Sequence, residues 1–245
     1  MATDIISNDV PRALPAVLPP VVDHLVTEDD TPVDSFFSEK QLRLLSEPLY
    51  SSRGDWARQR SFIAAANVGL FFVARNPALV PDVLLSMDVD LPADLQPKSH
   101  RSYFLWEYGK PPDVVIEVVS NREGGEDTNK LAAYARGRVP YYVIFDPDRQ
   151  LKAEALRGYR LDPLEYRRLD EPIEFPNIAL GLRLWKGRYE GQDNTWLRWV
   201  DAGGVPIATG QERAESEQRL REAERKRADR LAEQLRQHGI EPQEP

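Results

Sequence analysis

Glu117 is the single acid in the run Val114-Val-Ile-Glu-Val-Val119. Burying an unpaired carboxylate among such residues costs several kcal/mol, so a group like this pairs with a cation or binds a metal. Strand alternation puts Asp113, Val115, Glu117 and Val119 on one face. Asp113 is four residues from Glu117, roughly 13 Å along a strand. Mg²⁺ holds its oxygens at ~2.1 Å, so those two acids cannot share one ion. A metal-binding partner for Glu117 must come from another strand. Asp82, which follows Pro81 at the head of a second alternating run, is the candidate, because adjacent strands lie ~4.8 Å apart. Lys130, on the segment after the Glu117 strand, can reach back on its flexible stem. Two carboxylates, an ammonium and Mg²⁺ (or Mn²⁺) amount to metal-assisted phosphodiester hydrolysis. Plainer readings stand beside this one: a strand Glu facing solvent or a neighbouring cation, and a surface lysine along the sheet edge.

The elements that must position these groups follow from periodicity. Residues 114–119 are a buried strand, and Thr128 to Arg136 a short helix stopped by Gly137, with Leu131, Tyr134 and Ala135 as its packing stripe. Tyr141 to Phe145 is a second buried strand, ended by Asp146-Pro-Asp148. Strand, helix and strand joined by short loops form a right-handed parallel crossover. Upstream, Phe62–Arg75 and Val80–Asp88 are two strands of a hairpin, and residues 89–112 a long connection with the aromatic stretch 103–108. Ser35–Leu49 has helical spacing at Phe36, Leu42, Leu45 and Leu49, with Pro48 interrupting its end. Arg53, Arg58 and Arg60 lie in a basic loop at 51–60 that either touches phosphates or is simply solvated. Downstream, 152–159, 166–169, 180–184 and 196–200 are candidate antiparallel strands.

Composition narrows the chemistry. The chain has no Cys, so thiolate zinc sites, disulfides and Cys nucleophiles are excluded. His24, His100 and His238 lack metal-ligand spacing. There is no signal-like N-terminus and no long apolar run, so a soluble cytoplasmic protein without membrane contact is expected. The net charge of −8 is uneven. Residues 1–34, Pro-rich and expected to be a disordered arm, carry −6, and the tail 211–245 carries −1. The middle is left nearly neutral, which neither favours nor excludes DNA. The tail has Glu-to-Arg/Lys pairs at i,i+4 and a thin apolar stripe, so it is a solvated helix or a weak coiled coil that pairs two chains through 211–238.

Pro81-Asp82, then Glu117-Val-Val119, then Lys130 resembles the PD-(D/E)XK nuclease superfamily. More narrowly, Pro112-Asp-Val-Val-Ile-Glu-Val-Val-Ser120 with Lys130, Tyr134 and Val139-Pro-Tyr-Tyr-Val-Ile-Phe-Asp-Pro147 resembles the Uma-type restriction endonuclease family, over roughly 60–200. The resemblance implies an α/β fold, an α-β-β-β-α-β mixed-sheet core with flanking helices; with the residue pattern, this places the domain over 35–205 and a charged helical tail at 206–245. It implies Asp82 and Glu117 as Mg²⁺ ligands, Lys130 as the catalytic lysine, and DNA as substrate. Val119 stands where the superfamily has its lysine, and in this family the lysine comes from the next helix, as Lys130 does. A further acid from the first helix is often part of such sites, with Glu39 and Glu47 as candidates. Asp113, Ser120 and Tyr134 are supporting or substrate-facing candidates. A nuclease-fold module that binds DNA or a protein without cutting, and assembles through its tail, is the alternative.

Overall fold

Ser35 is extended, and its hydroxyl accepts the Ser38 N–H at 3.1 Å, a cap that starts helix α1 (Phe36–Ser51). The computed structural model describes residues 20–27, 35–74, 77–120 and 125–237. The helix runs on past Pro48, which sits buried inside it, so the proline does not end it as its residue type predicts. Helix α2 (Arg53–Trp56) turns the chain into strand β1 (Phe62–Ala66). The long strand expected over 62–75 breaks after Ala66, where Asn67 has a left-handed φ of 54°, and resumes briefly as β2 (Leu70–Phe71). Strand β3 (Val83–Met87) follows. The connection at 89–112 carries structure of its own, β4 (Tyr103–Phe104) and helix α3 (Leu105–Tyr108). Next come β5 (Val114–Val118), helix α4 (Leu131–Arg136), entered through a single π-turn at Glu126–Lys130, and β6 (Tyr141–Phe145). Strands β7 (Leu156–Asp162), β8 (Glu165–Arg168), β9 (Ile173–Phe175), β10 (Leu180–Tyr189) and β11 (Gln192–Asp201) lead to helix α5 (Gly210–Gln237).

The main sheet has the order β1-β3-β5-β6-β7-β8, antiparallel except for the parallel pair β5–β6 that α4 bridges. α1, β1, β3, β5, α4 and β6 thus give the α-β-β-β-α-β core, with β2 and β4 set aside as a small parallel pair. One face of the sheet packs Val83, Leu85, Ile116, Val118, Val143 and Phe145 against Leu42, Leu45 and Leu49 of α1 and the β9–β10–β11 sheet. The other face packs Leu84, Val115, Tyr142 and Ile144 against Tyr134 of α4 and Tyr103 of β4. The proposed disordered arm at 1–34 falls mostly outside the described residues. Within its described part, Val22 and Leu25 are buried against Phe71 and Phe104, so this stretch packs onto the core.

Two polar devices tie the periphery to this core. Gln41, fully buried on α1, donates Nε2 to the Leu197 carbonyl and accepts the Leu197 N–H, both at 2.9 Å, standing in for a strand neighbour of β11. Gln41→Leu leaves both backbone groups unpaired, and is expected to destabilise the protein by about 2–5 kcal/mol in urea unfolding. The second device is the first turn of α5. Thr209 and Glu212 form a reciprocal cap, and the Glu212 carboxylate takes two hydrogen bonds, at 2.8 and 2.7 Å, from the buried Arg198. Arg213 pairs with Asp55, and the Gly210 N–H reaches Glu47. No residue of α5 is itself buried. Truncation before Gly210 strands Arg198 and is expected to cost about 3 kcal/mol. Truncation before Gln218 keeps the anchor and should leave the unfolding midpoint nearly unchanged.

Candidate active site

The register of β3 and β5 brings the two separated acids together. Val83 pairs with Ile116 and Leu84 with Val115, so one further step along the same ladder sets Asp82 opposite Glu117. Asp82 lies just before β3, and its Oδ2 accepts the Val118 N–H at 2.7 Å. The side chain thus closes the ladder where the backbone pairing stops. The two acids stand at the end of two inner strands rather than on an edge strand.

Glu117 is fully buried, and both of its oxygens are engaged. Tyr134 donates its hydroxyl to Oε1 at 2.7 Å, and Lys130 donates Nζ to Oε2 at 2.9 Å. Positions 130 and 134 are one helical turn apart, so the π-turn and α4 present both over the same carboxylate. Burial pushes the Glu117 carboxyl up to about 8, and the neighbouring Asp82 adds to the rise against the pull of Lys130 and Tyr134. Asp82 is also raised, chiefly by burial, with the Val118 N–H and the Lys130 charge opposing. Lys130 is disfavoured by burial, yet Glu117, Glu126 and Asp82 together raise it, so it remains an ammonium at neutral pH.

Two members of the site were not read from the sequence. Glu126, nine-tenths buried, lies 3.4 Å from Lys130 Nζ, four residues before it on the π-turn. Arg157 pairs with Ile144 in the β6–β7 register, and Ile144 with Glu117 in the β5–β6 register. Asp82, Glu117, Ile144 and Arg157 therefore form one row across the sheet. Arg157 Nη1 lies 3.7 Å from Asp127 Oδ2. Glu126 had a legible signal, the i−4 spacing to Lys130. Arg157 had none, because alternation in its strand does not say which face is inward.

The remaining sequence candidates lie elsewhere. Asp113 accepts Met87 N–H at 2.7 Å and Lys110 Nζ at 2.5 Å at the other end of β5, pinning β3 to β5. Ser120 is exposed beyond β5, on a cleft also lined by Arg149 and Lys186. The first-helix acids do not join the site: Glu39 pairs with Arg43, and Glu47 holds Ser51 and the start of α5. α1 packs its leucines on the sheet face opposite to Glu117, so its acids are carried away from the row. In the basic loop, Arg60 forks onto Asp88 at 2.6 and 2.9 Å, and Arg53 lies over the Phe62 ring.

Among the described residues, no group of three or more His, Cys, Asp or Glu side chains is arranged to hold a metal ion. Two carboxylates are nevertheless the complement Mg²⁺ ordinarily takes, with water and substrate phosphate completing its octahedron. The buried Glu117 and Glu126 and the partly buried Asp82 stand against Lys130, two negative charges in excess when all are ionised, while Arg157 and the exposed Asp127 offset each other. One divalent cation balances that excess, so the donor set fits.

A family model described as Uma2, "Putative restriction endonuclease", matches residues 31–184, from just before α1 into β10. No curated protein matches the chain. The matched region is more than half of the sequence and holds the whole α-β-β-β-α-β core and every side chain of the row. On that match and this restriction endonuclease-like fold, the chain belongs to the Uma2 family.

Proposed function

We propose that this protein is a divalent-metal-dependent endonuclease that hydrolyses phosphodiester bonds in DNA. The observation that carries the reading is the pairing of the partly buried Asp82 with the fully buried Glu117, with the Lys130 ammonium 2.9 Å from Glu117. Asp82 and Glu117 would hold Mg²⁺ or Mn²⁺, which supplies Lewis-acid stabilisation of phosphate charge and a more acidic water. Tyr134 fixes the Glu117 rotamer through its 2.7 Å bond, and the Val118 N–H fixes Asp82, so both acids are oriented before substrate arrives. Lys130 places a positive charge where negative charge grows on phosphorus. Tyr103, Tyr142 and Tyr166 are held protonated by burial and serve as packing and hydrogen-bonding groups. The direct test is plasmid DNA with Mg²⁺ or Mn²⁺. Nicking or linearisation that EDTA stops is expected, and full resistance of the plasmid with both metals overturns the reading.

A second reading is favoured by the engagement of both Glu117 oxygens by Lys130 and Tyr134 and by the missing helix acid. In it the fold binds DNA or a protein without cutting. Calorimetry decides between them: heat of binding at millimolar Mn²⁺ that disappears in Asp82→Asn supports the nuclease. Assembly is a separate proposal. α5 is 28 residues long, with Leu220, Leu231 and Leu235 exposed, and two chains could pair along it. Sizing of the chain truncated before Gln218 against the full chain tests this, since the cut leaves the anchor intact. Among the described residues, no helix is long and apolar enough to cross a membrane.

A further inference from the structure

Arg157 is the anomaly left over once the acid pair and Lys130 are accounted for. It is 5% exposed, yet its Nε and Nη2 have no hydrogen-bond partner among the described residues. Among the described residues, only Nη1 faces an anion, Asp127, at 3.7 Å, longer than a hydrogen bond. Glu126 does not quench it: its Oε1 faces Lys130 and its Oε2 is likewise unpartnered. A buried guanidinium without acceptors is costly, and such groups persist where a ligand completes them. The atoms left over are informative. Nε–H and Nη2–H form the side-on edge of the guanidinium, two parallel donors that match two oxygens of one phosphate.

Its place in the fold says which phosphate. Arg157 is in the Asp82–Glu117 row, two strand spacings from Glu117 across β6, about 10 Å between backbones. That is too far to be the centre the acids act on, and close enough for a neighbouring phosphate of the same strand. We propose that Arg157 is a substrate-binding residue whose side-on edge takes a backbone phosphate next to the scissile one. The assignment rests on the nuclease reading above and adds to it a contact that neither the motif nor the family match specifies. The segment that has to yield for a phosphate to reach it is the π-turn Glu126–Lys130, which carries the exposed Asp127, starts at Gly125 with φ +66° and lacks a side-chain cap. Entry of the phosphate displaces Asp127 from Nη1, and the acid–guanidinium contact there is long enough to be exchanged.

The test reads binding, not turnover. In a Glu117→Gln background, the affinity for a short DNA duplex is measured by fluorescence anisotropy between ~50 and ~200 mM salt. Adding Arg157→Gln should weaken binding about tenfold and flatten the slope of log K against log salt by about 0.9, the value of one lost phosphate contact. Adding Arg157→Lys keeps a charge and loses the fork, so the slope should stay and affinity fall several-fold. Unchanged affinity and slope in both variants overturn the proposal and leave Arg157 as a structural partner of Asp127. If the Gln variant does not fold, the Lys variant decides alone, since an unaltered affinity there has the same meaning. The two readings fail separately. A wild-type chain that never cuts plasmid, but whose duplex binding depends on Arg157, removes the nuclease and keeps the phosphate contact. One that cuts, with binding indifferent to Arg157, does the reverse.

Discussion

Glu117→Gln is expected to yield a protein that is more stable than its parent and does not cleave DNA. The amide is close to isosteric, its oxygen can accept from Lys130 and its NH2 can donate to the Tyr134 hydroxyl oxygen, so the packing of β5 survives. What it removes is a carboxyl that burial pushes up to about 8. The unfolded chain releases that proton near the ordinary Glu value of ~4.3. Between those two values the folded state holds a proton that the unfolded state has lost. The stability linked to Glu117 is therefore full below pH ~4 and drains away as pH rises towards 8, by up to about 1.4 kcal/mol per pH unit. The Gln variant has no such drain. Thermal unfolding in EDTA at acid, neutral and alkaline pH should show the gap between variant and parent widening from pH 5 to 8 and then levelling. Parallel loss of stability in the two proteins removes the claim that Glu117 is the strained group. Cleavage should fall by at least ~10³-fold, about 4 kcal/mol of transition-state stabilisation, because one of the two acids available to a divalent cation is gone. Stability gained where activity is lost is the expected sign of a site kept under electrostatic strain.

Why the acid pair was legible and its surroundings were not follows from the kinds of order involved. Glu117 stood out because one acid in a β-branched run violates the hydrophobic pattern, and Asp82 because it heads an alternating strand behind a proline. Alternation and one antiparallel ladder then put them on one face, and distance along the strand set Asp113 apart, at the other end of β5. The crossover helix was legible from the stripe Leu131, Tyr134 and Ala135, and Lys130 came with it. Glu126 sits four residues before Lys130, but the π-turn that carries it lies in a polar, Gly-rich stretch without an apolar stripe, so the spacing alone did not mark it as inward. Arg157 was lost because its burial depends on which face of β7 meets the row, a tertiary fact. β9 is three residues long, and β2 and β4 two each, too short to show a period. Gln41, a polar residue mid-helix, reads as solvent-facing until β11 arrives from far along the chain to use it. Asp82 and Glu117 lie in elements that local sequence defines, whereas Glu126 and Arg157 depend on contacts that only the folded chain makes.

Lys130→Met separates the two roles that a lysine beside a metal site can have. Met keeps the length and apolar bulk of the stem and deletes the charge. If the ammonium serves the reaction by meeting negative charge on phosphorus, single-turnover cleavage at saturating metal should drop by ~10²- to 10⁴-fold. Metal affinity should move the other way. In the parent, Lys130 sits 2.9 Å from Glu117 and lowers the cost of its charge, yet it also repels any cation brought to the same carboxylates. A divalent cation feels that repulsion twice as strongly as the competing proton, so deleting Lys130 favours metal over proton at a given pH. Mn²⁺ titrated calorimetrically at pH 7.5 should therefore bind the variant several-fold more tightly while cleavage collapses. A variant that loses affinity and cleavage together shows instead that Lys130 works by holding Glu117 and Glu126 in place. Lys130→Arg then discriminates further. Its planar fork restores the charge but not the point contact with Oε2, so it should return metal affinity to the parent value and recover cleavage only in part.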